Sequence, residues 1–169
     1  MNLIVTPQGA HEARLDWGGG PRRAAIGRGG IGPKGGEGDG VTPVGTYPLR
    51  RLLYRADRLA VPATGLPASA LAPEDGWCDA PGDPAYNMPV KRPYRASSEE
   101  LWRADHIYDL IVAIGFNDHP VVRGKGSAIF LHIARPAYSP TAGCVALAQG
   151  DLIEVLALLA PDDTITIRA

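Results

Sequence analysis

A mainly β fold with one or two peripheral helices is what this sequence predicts, and three observations carry that reading. The strongest apolar runs, YDLIVAIGF (108–116) and SAIFLHI (127–133), are short and bounded by turn residues, as strands are. Gly (21) and Pro (16) are abundant and lie between the apolar runs, not in one low-complexity tract, which marks many turns. Sustained helical periodicity occurs in GDLIEVLALLA (150–160), where Leu152, Val155, Leu156 and Leu159 share a face.

The other elements follow from the same signals. Residues 2–6 (NLIVT) and 22–27 (RRAAIG) read as short strands around a turn at WGGGP (17–21). Residues 27–40 (GRGGIGPKGGEGDG) read as a flexible hairpin connection. In 41–55 a Pro-Gly turn leads into a strand in which Tyr47 and Leu49 are interleaved with polar residues. Residues 61–93, rich in Pro, Asp and Gly, read as a long loop, and loops of that length are often functional. SSEELWR (97–103) carries a capping-box pattern, Ser97 to Glu100, that predicts a short helix. TITIR (164–168) alternates and reads as a last strand.

Bulk properties bound the function. By length the chain is one domain, 1–169, with room for a real core. Hydrophobic residues at 45% and charged residues at 21% are those of an ordinary globular protein. The net charge of -1, with no Lys/Arg cluster interleaved with aromatics, argues against a nucleic-acid partner. No apolar stretch is long enough to span a bilayer, so no membrane partner is expected. The opening MNLIVTPQGAHEARLDW has no basic n-region and its apolar run stops at Pro7, so the expected location is the cytoplasm, where Cys78 and Cys144 stay reduced.

Two ligand classes are weighed and set aside. Gly27, Gly29 and Gly32 match G-x-G-x-x-G, but Pro33 and more glycines follow where a dinucleotide site needs a helix to open. No cofactor is expected. His11, His106, His119 and His132 lack H-x-x-x-H spacing and the cysteines lack C-x-x-C, so no metal is expected either.

Cys144 stands out by its setting, PTAGCVAL (140–147). Gly143 permits a positive φ or a close approach to a ligand. The amides of Gly143 and Cys144 are then candidates for an oxyanion hole. A cysteine nucleophile also needs a base, and His132 lies twelve residues earlier at the end of an adjacent apolar run. No Asp or Asn is marked in the sequence as the group that orients His132; a backbone carbonyl is one candidate, and the third member stays open. Spacing alone does not decide between this pair and a small buried thiol beside a half-buried histidine.

The motifs add a resemblance. His132, a short loop and Thr141-Ala142-Gly143-Cys144-Val145-Ala146-Leu147 resemble the signature of the L,D-transpeptidase catalytic domain family, also called YkuD-like. Upstream, Thr42, Pro43, Gly45 and Tyr47 are similar to its T-P-x-G-x-[FY] turn and strand. The likeness runs from the glycine loop to the last helix. It implies a β-sandwich with Cys and His in a groove, acting on a peptidoglycan stem peptide or soluble muropeptide. Family members attack the carbonyl between the third residue, often meso-diaminopimelate, and D-Ala, forming a thioester.

Carried over, Cys144 is the nucleophile, His132 the base and acid, and Gly143 with Cys144 the oxyanion donors. Tyr108, Asn117, Arg135 and Thr141 are the expected substrate contacts. Two positions depart from the common S-H-G-C-I-R pattern: Ala142 stands for the second histidine and Ala146 for the arginine. Arg135 or Lys125 is the expected replacement for that charge. With a cytoplasmic location, water is the abundant acceptor, and the expected activity is an L,D-carboxypeptidase of muropeptide recycling. The alternatives are an L,D-transpeptidase making 3-3 cross-links, periplasmic through an unrecognised export route, and a non-catalytic muropeptide-binding module.

Overall fold

The computed structural model describes residues 1–169. Its strands in chain order are β1 (Asn2–Pro7), β2 (Glu12–Asp16), β3 (Arg22–Ala25), β4 (Ile31–Gly32), β5 (Thr42–Pro43), β6 (Gly45–Tyr54) and β7 (Ala68–Ala70). They continue with β8 (Asp75–Cys78), β9 (Pro89–Lys91), β10 (Ser98–Glu100), β11 (Leu110–Ile114), β12 (Phe130–Ile133), β13 (Val145–Leu147) and β14 (Thr164–Ile167). One α-helix, α1 (Gln149–Leu156), follows β13.

The expected mainly β class is what forms. The main sheet runs β11-β12-β13-β3-β2-β1-β14-β6, and β6 also pairs with β11, so the sheet closes on itself. The long β6 makes this possible. Its first half pairs with β14 and its second half with β7, while β11 takes the other edge. Closure leaves no free edge among the central strands.

Alternation sorts the side chains into two cores. Leu110, Val112 and Ile114 of β11, Leu131 and Ile133 of β12 and Val145 and Leu147 of β13 join the larger core with α1's Leu152, Val155 and Leu156. Ile111, Ala113, Phe130 and Cys144 belong to a smaller cluster on the opposite face. The period of two thus separates a structural face from the face that carries Cys144.

Several expectations change. A strand, β2, lies between the two expected near the N-terminus; its EARLD pattern buries Ala13 and Leu15. The expected loop 61–93 contains β7, β8 and β9, and the expected helix at 97–103 is instead β10. β9, β8 and β10 form a separate antiparallel sheet, in which Glu99 faces Trp77 and Ser98 faces Cys78. The capping-box pattern loses to strand pairing: Ser98, Glu99 and Glu100 register with Cys78, Trp77 and Gly76 of β8, and Leu101 is buried at 1% exposure. Those contacts require an extended chain.

The glycine loop is more than a connection. β4 pairs in parallel with β5, and the Gly27 amide donates to buried Thr42 Oγ1 at 2.8 Å. Asp39 accepts from the amides of Gly35, Gly36 and Val41 and from Lys34. A Cβ at Gly27 would lie 1.9 Å from Gly40 O and 3.1 Å from Gly143 Cα. Gly27→Ala should therefore cost about 1–3 kcal/mol, or several degrees of melting temperature. Gly82→Ala, where a Cβ meets nothing within 4 Å, should leave the thermal transition nearly unmoved.

Candidate active site

β12 and β13 run parallel, with Leu131 opposite Val145 and His132 opposite Ala146. One residue earlier, Cys144 stands beside Phe130, whose amide donates to Cys144 Sγ at 3.4 Å. His132 and Cys144 are thus near neighbours on one face, and both line one cavity of about 370 Å³. The thiol itself donates to Ala128 O at 3.3 Å, not to His132. Catalytic hydrogen bonds of this kind commonly tighten only when substrate is present.

His132 is 3% exposed, and its Nδ1 lies 2.9 Å from Ile133 O. With Nδ1–H donating to that carbonyl, Nε2 is the nitrogen that can take a proton. The Tyr108 ring meets the imidazole edge-on at 5.2 Å. Burial pushes the imidazole down to about 4, although the Ile133 carbonyl favours the charged form. Burial pushes the Cys144 thiol up to about 12, and the Glu99 carboxylate adds to that. At neutral pH the pair is therefore a thiol and a neutral imidazole, not a preformed ion pair.

The Thr141–Cys144 turn is held from within. Thr141 Oγ1 donates to Cys144 O at 2.7 Å and accepts from the Gly143 amide at 3.1 Å. Gly143 has φ of +136°, and a Cβ there would lie 2.9 Å from Val41 O. Only glycine fits. The oxyanion expectation is changed in one respect: the Gly143 amide is already engaged by Thr141. The Cys144 amide makes no hydrogen bond within the chain.

Of the expected substrate contacts, Tyr108, Arg135 and Thr141 line the cavity and Asn117 does not. Asn117 instead bonds Val122 and Gly126 through its side chain, which holds the 117–126 loop. Lys125 is also absent from the cavity wall. The cation beside the Thr141–Cys144 turn is Lys34, which sequence reasoning missed. Its side chain is 4% exposed, and its ammonium pairs with Asp39 and donates to Val41 O at 3.1 Å. Glu37, Asp79, Glu99 and Ser127 were missed as well, and all four line the cavity. Cys78 is fully buried on β8.

The geometry yields a stability test. Because folding lowers the His132 imidazole below its usual 6.5, the unfolded chain binds the proton first as pH falls. Stability should drop as pH falls from 6.5 towards 4, by up to about 3 kcal/mol from this group. Denaturant unfolding across that range should show a shallower slope in His132→Gln than in the wild type.

The Thr141 network yields a second test. Thr141→Val leaves the Gly143 amide without its acceptor and should cost about 1–3 kcal/mol of stability, while Thr141→Ser keeps it.

No curated protein matches this chain. Among solved structures, it is similar to L,D-transpeptidase 1 of Mycobacterium tuberculosis (13% identity, TM-score 0.40) and to L,D-transpeptidase 3 of the same organism (14%, TM-score 0.45). An L,D-transpeptidase from Mycobacterium smegmatis is similar too (14%, TM-score 0.43). The alignments cover 98%, 99% and 99% of this chain but 61%, 61% and 58% of those chains, so it spans about three fifths of their length. The family model of the L,D-transpeptidase catalytic domain, YkuD, matches residues 8–167, nearly the whole chain. The protein that places Cys144 and His132 on one sheet face thus belongs to the L,D-transpeptidase catalytic domain family.

Proposed function

We propose that this chain catalyses cysteine-dependent acyl transfer at the L-centre–D-Ala bond of peptidoglycan stem tetrapeptides, with water as acceptor, as an L,D-carboxypeptidase. The observation that carries the reading is the sharing of one cavity by Cys144, His132 and the Thr141–Cys144 turn.

The chemistry follows from the neutral pair. As Sγ attacks the stem carbonyl, its proton passes to His132 Nε2 and the S–C bond forms. The Cys144 amide faces the developing oxyanion. The tetrahedral adduct collapses, the C–N bond breaks, and His132 returns the proton to the leaving D-Ala amine. Water, deprotonated by His132, then attacks the thioester and releases the tripeptide and the thiol. Cys144 is only 6% exposed, which favours a small acceptor.

A second reading, cross-linking by an amine acceptor, is favoured by a specific feature. A cavity of about 420 Å³, lined by Trp77, Met88 and Phe130, shares Ile129 with the Cys144 cavity. A second stem would enter there. Incubation with a tetrapeptide stem separates the two by mass: tripeptide plus D-Ala supports hydrolysis, and a 3-3 dimer supports transfer. Cys144→Ala should release no D-Ala while keeping the wild-type melting behaviour. Release by that variant contradicts the assignment.

The rate should also report the buried imidazole. The acid limb of kcat/KM should fall near pH 4, not near the usual imidazole value of 6.5. A limb at 6.5 contradicts the neutral-pair mechanism.

A further inference from the structure

Lys34, Arg103 and Arg135 all line the cavity, but they act on different members of the pair. Arg103 is paired with Asp105 and lies over the Tyr108 ring, 5.4 Å from its centroid. Burial keeps the His132 imidazole neutral, and both arginines add to that. Lys34 acts on Cys144 instead. Burial and Glu99 push that thiol up, and the Lys34 ammonium works against them.

The fold fixes Lys34 against the Thr141–Cys144 turn. Its stem crosses Gly126 so closely that a Cβ there would lie 2.6 Å from Lys34 Cε. At its far end, a Cβ on Gly143 would lie 3.5 Å from Lys34 Nζ. Both glycines have positive φ, +122° and +136°. Asp39, which anchors the ammonium, is itself held by the amides of Gly35, Gly36 and Val41. Burial opposes the Asp39 charge, but Lys34 and the Val41 and Gly35 amides bring its carboxyl down to about 2. The carboxylate is therefore in place across the neutral range.

An ammonium has three donors. Asp39 and Val41 O take two, and the third has no acceptor in the chain. A buried donor without a partner is costly, which makes a ligand oxygen the expected acceptor. The turn lacks a donor at the same place. The Gly143 amide is engaged by Thr141 Oγ1, so the Cys144 amide is the one backbone donor left free there.

We propose that Lys34 is a catalytic residue whose third N–H donates, together with the Cys144 amide, to the oxyanion formed when Sγ attacks a carbonyl. This deepens the function proposed above and rests on it for the stem peptide as acyl donor. As the S–C bond forms, the thiol proton passes to His132 Nε2 and the C=O π pair moves onto oxygen. Lys34 keeps its proton throughout. Its hydrogen bond is strongest at the adduct and relaxes when C=O reforms and the leaving group departs. A charged donor in a site that solvates charge poorly is worth more than a neutral one.

The test separates attack on a carbonyl from simple reactivity of the thiol. With p-nitrophenyl acetate, the acetyl group passes to Cys144 Sγ and p-nitrophenolate leaves, through an oxyanion. With iodoacetamide, Sγ displaces iodide and no oxyanion forms. Both adducts are timed by intact mass and mapped to Cys144 by digestion. Lys34→Met should acetylate about a hundredfold more slowly than the wild type, with a far smaller loss in alkylation. Lys34→Gln, which can still donate to Asp39, should show the same split, and melting curves verify that each variant is folded. Equal loss of the two reactions in a folded variant overturns the role, as does undiminished acetylation or a wild type that is not acetylated at Cys144. A tetrapeptide stem run alongside keeps the two readings apart. The split without D-Ala release by the wild type keeps Lys34 as the oxyanion donor and overturns the stem activity. D-Ala release without the split keeps the activity and overturns the role of Lys34.

Discussion

The parallel pairing of β12 with β13 is the constraint on which the site depends. Its register sets His132 opposite Ala146 and brings Cys144 beside Phe130. A slip of one residue would turn Cys144 or His132 into the apolar core, because side chains alternate faces. The register is in turn fixed by what lies behind it. Leu131, Ile133, Val145 and Leu147 are all buried in the core that α1 covers. Packing on one face thus dictates chemistry on the other.

Burial then decides the electrostatic character of the pair. Both reacting groups sit where charge is poorly solvated, so both rest neutral. A thiol held in this way resists adventitious oxidation and alkylation, since the thiolate is the reactive form. In the proposed mechanism, reaction begins with proton transfer from sulfur to imidazole as the carbonyl is attacked. The polar surroundings matter because they are few and directional: Ile133 O meets the imidazole and Thr141 holds the turn that carries Cys144, whose amide is the proposed oxyanion donor.

Much of this was legible in the sequence. The apolar runs that became β11 and β12 are continuous and bounded by turns, and the glycine before Cys144 marked the tight turn. The β8–β10 sheet was not legible. DGWC, PVK and SEE offer little apolar alternation, and the sheet is held by backbone pairing and by Trp77 and Asn87 at long range. The local capping signal at Ser97–Glu100 pointed the other way, and tertiary contacts overrode it. Lys34 and Glu37 were hidden for a different reason. They lie in a glycine-rich stretch whose conformation is set by Asp39 and Tyr86, and no periodicity reports that. Asn117 was an expected contact, but its amide is consumed in shaping a loop.

The most direct test of the central claim, that Cys144 becomes acylated within a buried neutral pair, is intact-protein mass after rapid acid quench with a tetrapeptide stem. The account predicts a transient adduct equal to the tripeptide acyl group, mapped by peptide digestion to Cys144 and absent from Cys144→Ala. An adduct on another residue, or turnover by Cys144→Ala, would contradict it.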